Sequence, residues 1–339
     1  MISKIGRIVG NFSLTAAASL VLAQVGTAAS IPALSGGYDV FVRNGAVFDG
    51  VHMHGATAIG GDLSLTGNMS EFLNDPVTRP SGLSVGGRIL QGADARINNS
   101  GKLHVGSLVS GQTVSANSLQ SGSGRNVYFG SGQPPANVVT AQAVDMVSAF
   151  NQLSALSASL AAKSSTLNFS SFVSGSNFNL TLQSGSLIGY DVMNITGAQL
   201  ASVGNLNFNH VSGFDQKLVI NVDLSNYNGG AFIQNRNGND EANNILWNFF
   251  GASQLSLQNQ FIGTILAPNL NLTHYNNDIK GSVIANSFTK TGGQVHVHPF
   301  SFDFPTPAST STKGVPDAGS TGLLALLVLP LLVAFRRWA

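Results

Sequence analysis

Apolar and polar residues alternate in short bursts along most of this chain, and glycines interrupt the bursts at intervals. Three phrases repeat the arrangement: Ala58-Ile59-Gly60-Gly61-Asp62-Leu63-Ser64-Leu65, Leu83-Ser84-Val85-Gly86-Gly87-Arg88-Ile89-Leu90 and Leu103-His104-Val105-Gly106-Ser107-Leu108-Val109. Alternation with period two buries one face of a strand. Glycine within such a strand marks a bend or a close backbone approach. Two more phrases are near copies, eighteen residues apart: Ile262-Gly263-Thr264-Ile265-Leu266-Ala267-Pro268 and Lys280-Gly281-Ser282-Val283-Ile284-Ala285-Asn286. Repetition at this interval predicts successive rungs of a coiled structure. The expected fold is mainly β, a parallel β-solenoid (β-helix). An antiparallel sandwich would need Asn-Gly hairpins between adjacent strands, and the spacing favours coils. The expected core is Ile59, Leu63, Val85, Ile89, Val105, Val219, Val222, Ile265, Leu266, Val283 and Ile284.

The pattern changes once. Residues 138–163 contain neither Gly nor Pro, and Val139, Ala143, Met146, Phe150, Leu153 and Leu160 follow a three-four spacing. Gln142, Asp145, Gln152 and Ser159 lie largely between them. This predicts one long amphipathic α-helix, capped by Asn137 or Thr140, with its apolar stripe packed alongside the solenoid through Phe150 and Leu153. Strand signals resume at 166–169, 178–182, 206–209, 218–224, 245–250 and 254–257. The run Leu218-Val219-Ile220 suits a strand buried on both faces. Residues 68–80, 122–135 and 225–244 read as loops or connectors. In this order the stretch 260–300 forms the carboxyl end of a solenoid resumed after a helical interruption.

Composition narrows the class. Among 339 residues only 9% are charged, where ordinary soluble domains carry roughly 25%. The net charge of +1 gives no electrostatic case for nucleic acid. The absence of cysteine excludes disulfides, thiolate metal sites and a cysteine nucleophile.

Both ends read as addresses. Residues 1–30 have the order of a signal peptide: Lys4 and Arg7, a small and apolar run over 9–25, then Gly26-Thr27-Ala28-Ala29-Ser30 as a cleavage region. The domain itself is expected over 31–304 and a Ser/Thr-rich linker over 305–314. Residues 315–339 hold Val315, Pro316, Asp317, Gly319, Ser320 and Thr321, an apolar run over 322–335, and Arg336 and Arg337 at the anchor end. The apolar run is short for a span, which needs about 20 residues, and barely reaches when counted from Ala318. The arginines would remain cytoplasmic. No segment between the two signals is long and apolar enough to cross a membrane.

The carboxyl motif resembles the PEP-CTERM class of sorting signals in its VPD-G-S-T variant, with Ala318 where that variant often has Ser. The resemblance implies an exosortase-type protease as partner, a transient hold in the inner membrane through the carboxyl helix, and bacteria that make extracellular polysaccharide. Across about 38–302, the Gly-Gly-Asp-Leu-like phrases, Ile245-Leu246-Trp247-Asn248-Phe249, Gly263-Thr264-Ile265-Leu266-Ala267-Pro268 and Gly281-Ser282-Val283-Ile284-Ala285 resemble the choice-of-anchor A domain, a bacterial surface module found with several sorting signals. The Gly-Thr-Ile-Leu-Ala phrase also resembles β-solenoid ice-binding proteins, which carry a helix along the solenoid. These resemblances bring no catalytic residues. They imply an exported, non-enzymatic protein of the cell surface or matrix of a Gram-negative-type bacterium. Alternatives are an ice- or glycan-binding adhesin and a carbohydrate-active solenoid enzyme.

Candidate chemistry is sparse, and no cofactor is expected. His52-Met53-His54 and His296-Val297-His298 each put two imidazoles on one strand face, a pair that could donate two nitrogens to zinc or copper with a third ligand from elsewhere. The simpler reading is solvated edge residues, with the second pair near a last rung, and no metal is expected. Asp240 and Glu241 sit among Asn235, Asn237 and Asn239 without the spacing of a calcium loop. An ice-binding face needs regularly spaced Thr, and Thr181, Thr264, Thr273 and Thr289 look scattered.

Overall fold

The computed structural model describes residues 28–75, 82–130, 134–142, 144–182, 189–210, 216–237 and 242–305. The protein is mainly β, and its main ladders are parallel. The strands fall into three ladders, which the chain visits in the order first, second, third in most turns, while the turns starting at Tyr190, Lys217 and Leu103 have no second-ladder strand. The first runs in spatial order through Tyr190–Thr196, Lys217–Asp223, Ile245–Phe250, residues 264–267, residues 283–285, Val40–Val42, Thr57–Ile59, Leu83–Val85 and Leu103–Val105. The second runs through Gln254–Leu257, residues 271–275, residues 287–291, Ala46–Asp49, Leu63–Thr66 and Ile89–Gln91. The third has two parts. Asn177–Leu182, Asn205–His210 and Asn235–Asn237 form one. Phe261–Ile262, Ile279–Lys280, Gln294–His296, His52–Met53, Ser70–Phe72, Ala95–Ile97 and Asn126–Tyr128 form the other.

The spatial order corrects one expectation. The turn over 283–296 is the last in sequence but lies in the middle of the stack, between the turn over 264–280 and the turn that starts at Val40. The amino-terminal turns continue the carboxyl-terminal ones because Val40–Val42 pairs with the free edge of residues 283–285. At the far end Thr113–Val114 and Ser118–Gln120 fold back antiparallel onto Asn126–Tyr128. That hairpin covers part of an edge that would otherwise offer unpaired backbone groups.

Glycine occupies the corners for a steric reason. Gly60, Gly86 and Gly106 stack in one column between the first and second ladders. A Cβ at Gly86 would collide with the carbonyl oxygen of Gly60, and one at Gly106 with that of Gly86. At the opposite corner Gly263 has φ +106° and a Cβ there would sit 2.8 Å from Ile245 O. All the expected core residues, Phe150 and Leu153 included, are fully buried.

The helix spans Met146–Ala161 and starts later than the sequence suggests. Asp145, rather than Asn137 or Thr140, caps it by accepting from Ser148 N at 3.0 Å. Pro135 opens a 3-10 turn over Pro135–Asn137. Val139 then bridges Val105, and Thr140 N donates to Val105 O at 3.1 Å, so this segment ends the first ladder. Gln142 is not on a polar helix face; its amide donates to Ile59 O and Ser84 O. The buried stripe is Ala149, Phe150, Leu153, Leu156, Ser157 and Leu160. Phe150 stacks on Phe41 with centroids 5.0 Å apart.

Further corrections concern short elements. Residues 166–169 are not a strand: Thr166 and Leu167 donate to Val192 O, and a 3-10 turn follows at Phe169–Phe172. The expected loops at 68–80, 122–135 and 225–244 each contain a third-ladder strand, Ser70–Phe72, Asn126–Tyr128 and Asn235–Asn237. Three residues are too few to show alternation. Among the described residues no helix is long and apolar enough to cross a membrane. The signal over 1–27 and the tail from 306, with Val315, Pro316, Asp317, Gly319, Ser320, Thr321, Arg336 and Arg337, lie outside the described residues.

Candidate functional site: the outward face of the second ladder

Side chains alternate across a strand, so each second-ladder strand shows one set inward and one outward. The inward columns are Leu255, Leu272, Phe288, Ala46, Leu63 and Ile89, and Leu257, His274, Lys290, Phe48 and Leu65. Outward, Ser256, Thr273, Thr289, Val47, Ser64 and Leu90 fall in one column across six strands. Beside it Tyr275, Thr291, Asp49 and Thr66 form a second column. Val47, Leu90 and Tyr275 are about 40% exposed, which is unusual for large apolar groups aligned on one face.

This alignment corrects the reading of the threonines. Thr273 and Thr289 are direct neighbours, and Thr289 and Thr291 form the expected alternating pair. Thr264 is fully buried, where its hydroxyl accepts from Phe300 N at 3.0 Å. Thr181 belongs to the third ladder. The shared face is hidden in sequence by an irregularity. Ile265 pairs with Val283, eighteen residues on, but after a shift between Ala267 and Asn271 the separation falls to sixteen, and Asn271 pairs with Ser287. Aligning the two phrases at their first register sets Thr273 against Thr291 and hides its true neighbour Thr289.

The first and last described residues pair with each other beside the first ladder. Tyr190, Lys217 and Thr264 each open a first-ladder strand, at the corner where the third ladder meets the first. Residues 300–305 run down that corner. Phe300 binds Thr264 and lies 5.9 Å from Lys217 Nζ, and Phe302 and Phe304 pack on Tyr190. Phe304–Pro305 pairs antiparallel with Ala28–Ala29.

The two His-x-His pairs meet, because Gln294 and Val295 pair with His52 and Met53. The rings of His54 and His296 are 4.4 Å apart. His54 Nδ1 lies 3.0 Å from Asp75 Oδ1 and Nε2 2.8 Å from Gln294 Oε1, so both its nitrogens are engaged. His296 Nε2 is 3.5 Å from Asp278 Oδ2. Burial, and then the neighbouring His54, push His296 down from the ordinary histidine range; burial, His296 and Lys280 do the same to His298. Far from capping a last rung, the pairs sit at the junction of the two halves. Among the described residues no group of three His, Asp or Glu is placed to hold a metal ion. Asn235 and Asn237 are outward residues of a third-ladder strand, while Asn239, Asp240 and Glu241 lie outside the described residues.

The interior also holds bases that no motif singles out. Lys290 Nζ lies 3.2 Å from His274 Nδ1 and donates to Asn277 O and Gly292 O, while His274 Nε2 contacts Asn259 O. Those three acceptors suit an ammonium, yet burial pushes the amine down to about 7. Burial and Lys290 together push His274 down to about 3. Arg236 is buried with its guanidinium 4.3 Å from the Phe261 ring. Alternation marks His274 and Lys290 as inward on their strands, while the strand around Arg236 has only three residues.

A family model described as an ice-binding-like adhesive domain matches residues 32–297. Among solved structures, ice-binding protein 1 of Shewanella frigidimarina is 14% identical, with 82% of this chain and 99% of that one covered and a TM-score of 0.28. An ice-binding protein from an Antarctic bacterium of the Flavobacteriaceae is also 14% identical, covering 77% of this chain and 82% of its own with a TM-score of 0.25. No curated protein matches the sequence. The family model spans well over half of the chain, including every turn of the three ladders that carries the outward columns: the chain belongs to the ice-binding-like adhesive domain family.

Proposed function

We propose that this protein is an exported, non-enzymatic surface adhesin that lays its second ladder against a repetitive surface, either ice or extracellular polysaccharide. The outward column of Ser256, Thr273, Thr289, Val47, Ser64 and Leu90 carries the reading. Positions in such an array recur about 4.8 Å apart between strands and about 6.8 Å apart along one. Short hydroxyl side chains between methyl-bearing ones lose little rotamer freedom on contact, so many weak contacts can add. The three ladders fit a β-solenoid, in which straight stacking keeps the columns in line. Membership of an adhesive family supports the same use.

The route out is part of the proposal. Val315, Pro316, Asp317, Gly319, Ser320 and Thr321, followed by the apolar run and Arg336 and Arg337, fit a PEP-CTERM-like signal for an exosortase-type protease. The choice-of-anchor A resemblance agrees with that pairing. The chain would be held in the inner membrane and then placed on the cell surface or in the matrix.

The test is adsorption of the full chain in detergent to ice and to the polysaccharide of the producing cells. Val47→Lys combined with Thr289→Lys puts two charges in the column without touching the interior. Adsorption is expected to fall about tenfold or more, equivalent to about 1.4 kcal/mol, with the circular dichroism unchanged. Unchanged adsorption rejects this face.

A further inference from the structure

A cavity of about 340 Å³ opens where the second ladder begins. Two successive turns wall it, one through Leu224, Tyr227 and residues 229–232, the other through residues 252–256. It exists because the turn over 217–237 has no second-ladder strand of its own. The chain swings out after Leu224 and rejoins only at Phe232, whose N donates to Ser256 O at 2.9 Å. Tyr227 lies parallel to Phe232, centroids 4.7 Å apart, and its hydroxyl donates to Gly230 O at 3.2 Å. Gly229 packs against the Tyr227 ring, but a Cβ at Gly230 would meet no atom within 4 Å. The lining has no Asp, Glu, Lys, Arg or His. Ser256, on the wall, is also the first member of the outward column that continues through Thr273 and Thr289.

We propose that this cavity binds a neutral hexose unit of a polysaccharide whose chain continues along the hydroxyl column. The inference rests on the adhesin reading and names the ligand class at one end of that face. A hexose has an apolar ring face and a rim of hydroxyls that both donate and accept. The cavity matches both: Tyr227, held in place by the buried Phe232 stacked on it, and Ala231 supply apolar surface, and the Ser253, Gln254 and Ser256 side chains with nearby backbone supply donors and acceptors. A site without charge does not repay the desolvation of a uronate or phosphate. The volume lies at the lower end of ligand pockets, about 300–1,000 Å³, which suits one or two sugar units.

Gly230→Phe is the decisive variant. Its backbone is not in the left-handed region and its Cβ position is open, so a ring is accommodated at the cavity wall without strain. The full chain in detergent is titrated by calorimetry with cellotetraose, maltotetraose and isomaltotetraose, and with tetragalacturonate as the charged counterpart. At least one neutral tetrasaccharide is expected to bind with a millimolar or tighter Kd, weakened about tenfold or more by Gly230→Phe, with tetragalacturonate silent. No neutral binding at millimolar concentration, binding unaffected by Gly230→Phe, or preference for tetragalacturonate overturns the proposal. Adsorption to ice or whole polysaccharide reports on the column separately. Gly230→Phe that leaves adsorption intact but abolishes tetrasaccharide binding separates the two sites, and adsorption lost only in the Val47→Lys, Thr289→Lys variant does the same.

Discussion

Two sets of asparagine ladders run through this molecule, one covered and one bare. On the first ladder Asn248 donates to Asn221 and Asn221 to Asn194, at 2.9 and 2.8 Å. On the third, Asn205 donates to Asn177 and Asn207 to Asn179, at 2.9 and 2.8 Å, and Asn235 and Asn237 extend both columns. The amide-to-amide geometry is the same; what differs is the partner of the remaining hydrogens. Under the helix, Asn248 also donates to Ser157 O, Asn221 to Leu160 O and Asn194 to Lys163 O. These carbonyls lie in the last turn of the helix and just past it, and Leu160 O also accepts from Lys163 N at 3.0 Å. The covered ladder is therefore the seat on which the helix ends, while the bare one spends its second hydrogens on solvent. A repeated residue type has no single role here; burial assigns it.

The helix over the covered ladder is held most strongly at Phe150. Phe150→Ala removes the ring stacked on Phe41 and is expected to cost about 3–5 kcal/mol. Amide exchange over 146–161 should rise while exchange over 177–182 stays slow; an unchanged melting temperature would show that the helix is not held this way. A smaller effect separates the two ladders directly. Asn248→Ala leaves Ser157 O and Asn221 Oδ1 without their donor in a dry site, at about 1–3 kcal/mol. Asn207→Ala, on the bare ladder, should stay within about 0.5 kcal/mol. Equal losses in denaturant melts of the two variants would sink the distinction.

Amide ladders do not titrate, so acid probes the remaining interior separately. His274 is buried against Lys290, with Arg236 and Asp278 also acting on it, and is held at about 3 rather than the ordinary 6.5. Its folded value is depressed, so protonation favours the unfolded chain: stability present above about 6.5 is lost progressively as pH falls toward 3. His274→Gln keeps a polar group and removes the titration. The acid-side slope of the melting temperature should flatten in that variant; an identical slope would assign the loss to other groups.

Much of the fold was legible because its signals are local. Val85, Ile89, Ile265 and Val283 announce inward positions through alternation, and Gly60, Gly86 and Gly106 announce corners because a Cβ cannot fit there. The helix was legible as a stripe but not at its start, because Val139 fits a stripe and a ladder bridge equally well. The candidate face was illegible for two reasons. The irregularity after Ala267 shifts Thr273 and Thr289 relative to the visible repeat. And Thr289 has Val47 as its other neighbour, a contact that no local spacing encodes. The meeting of His54 with His296 was hidden by the same long-range join.

That join has a consequence for how the molecule is made. Asn44 bonds Asn286 across 242 residues of sequence, and the strand at Val40–Val42 finds one of its two neighbours only at residues 283–285. A chain synthesised or threaded through a membrane from its amino end emerges with that edge open. Its early turns can stack on one another but cannot close against the rest until almost the whole domain has passed. Contacts of such sequence separation are slow to form, and an open edge is a hazard while they wait. Under the export proposed above, the delay would have a use: the last piece needed for closure would arrive only when nearly all of the domain had crossed, so folding would be completed on the far side.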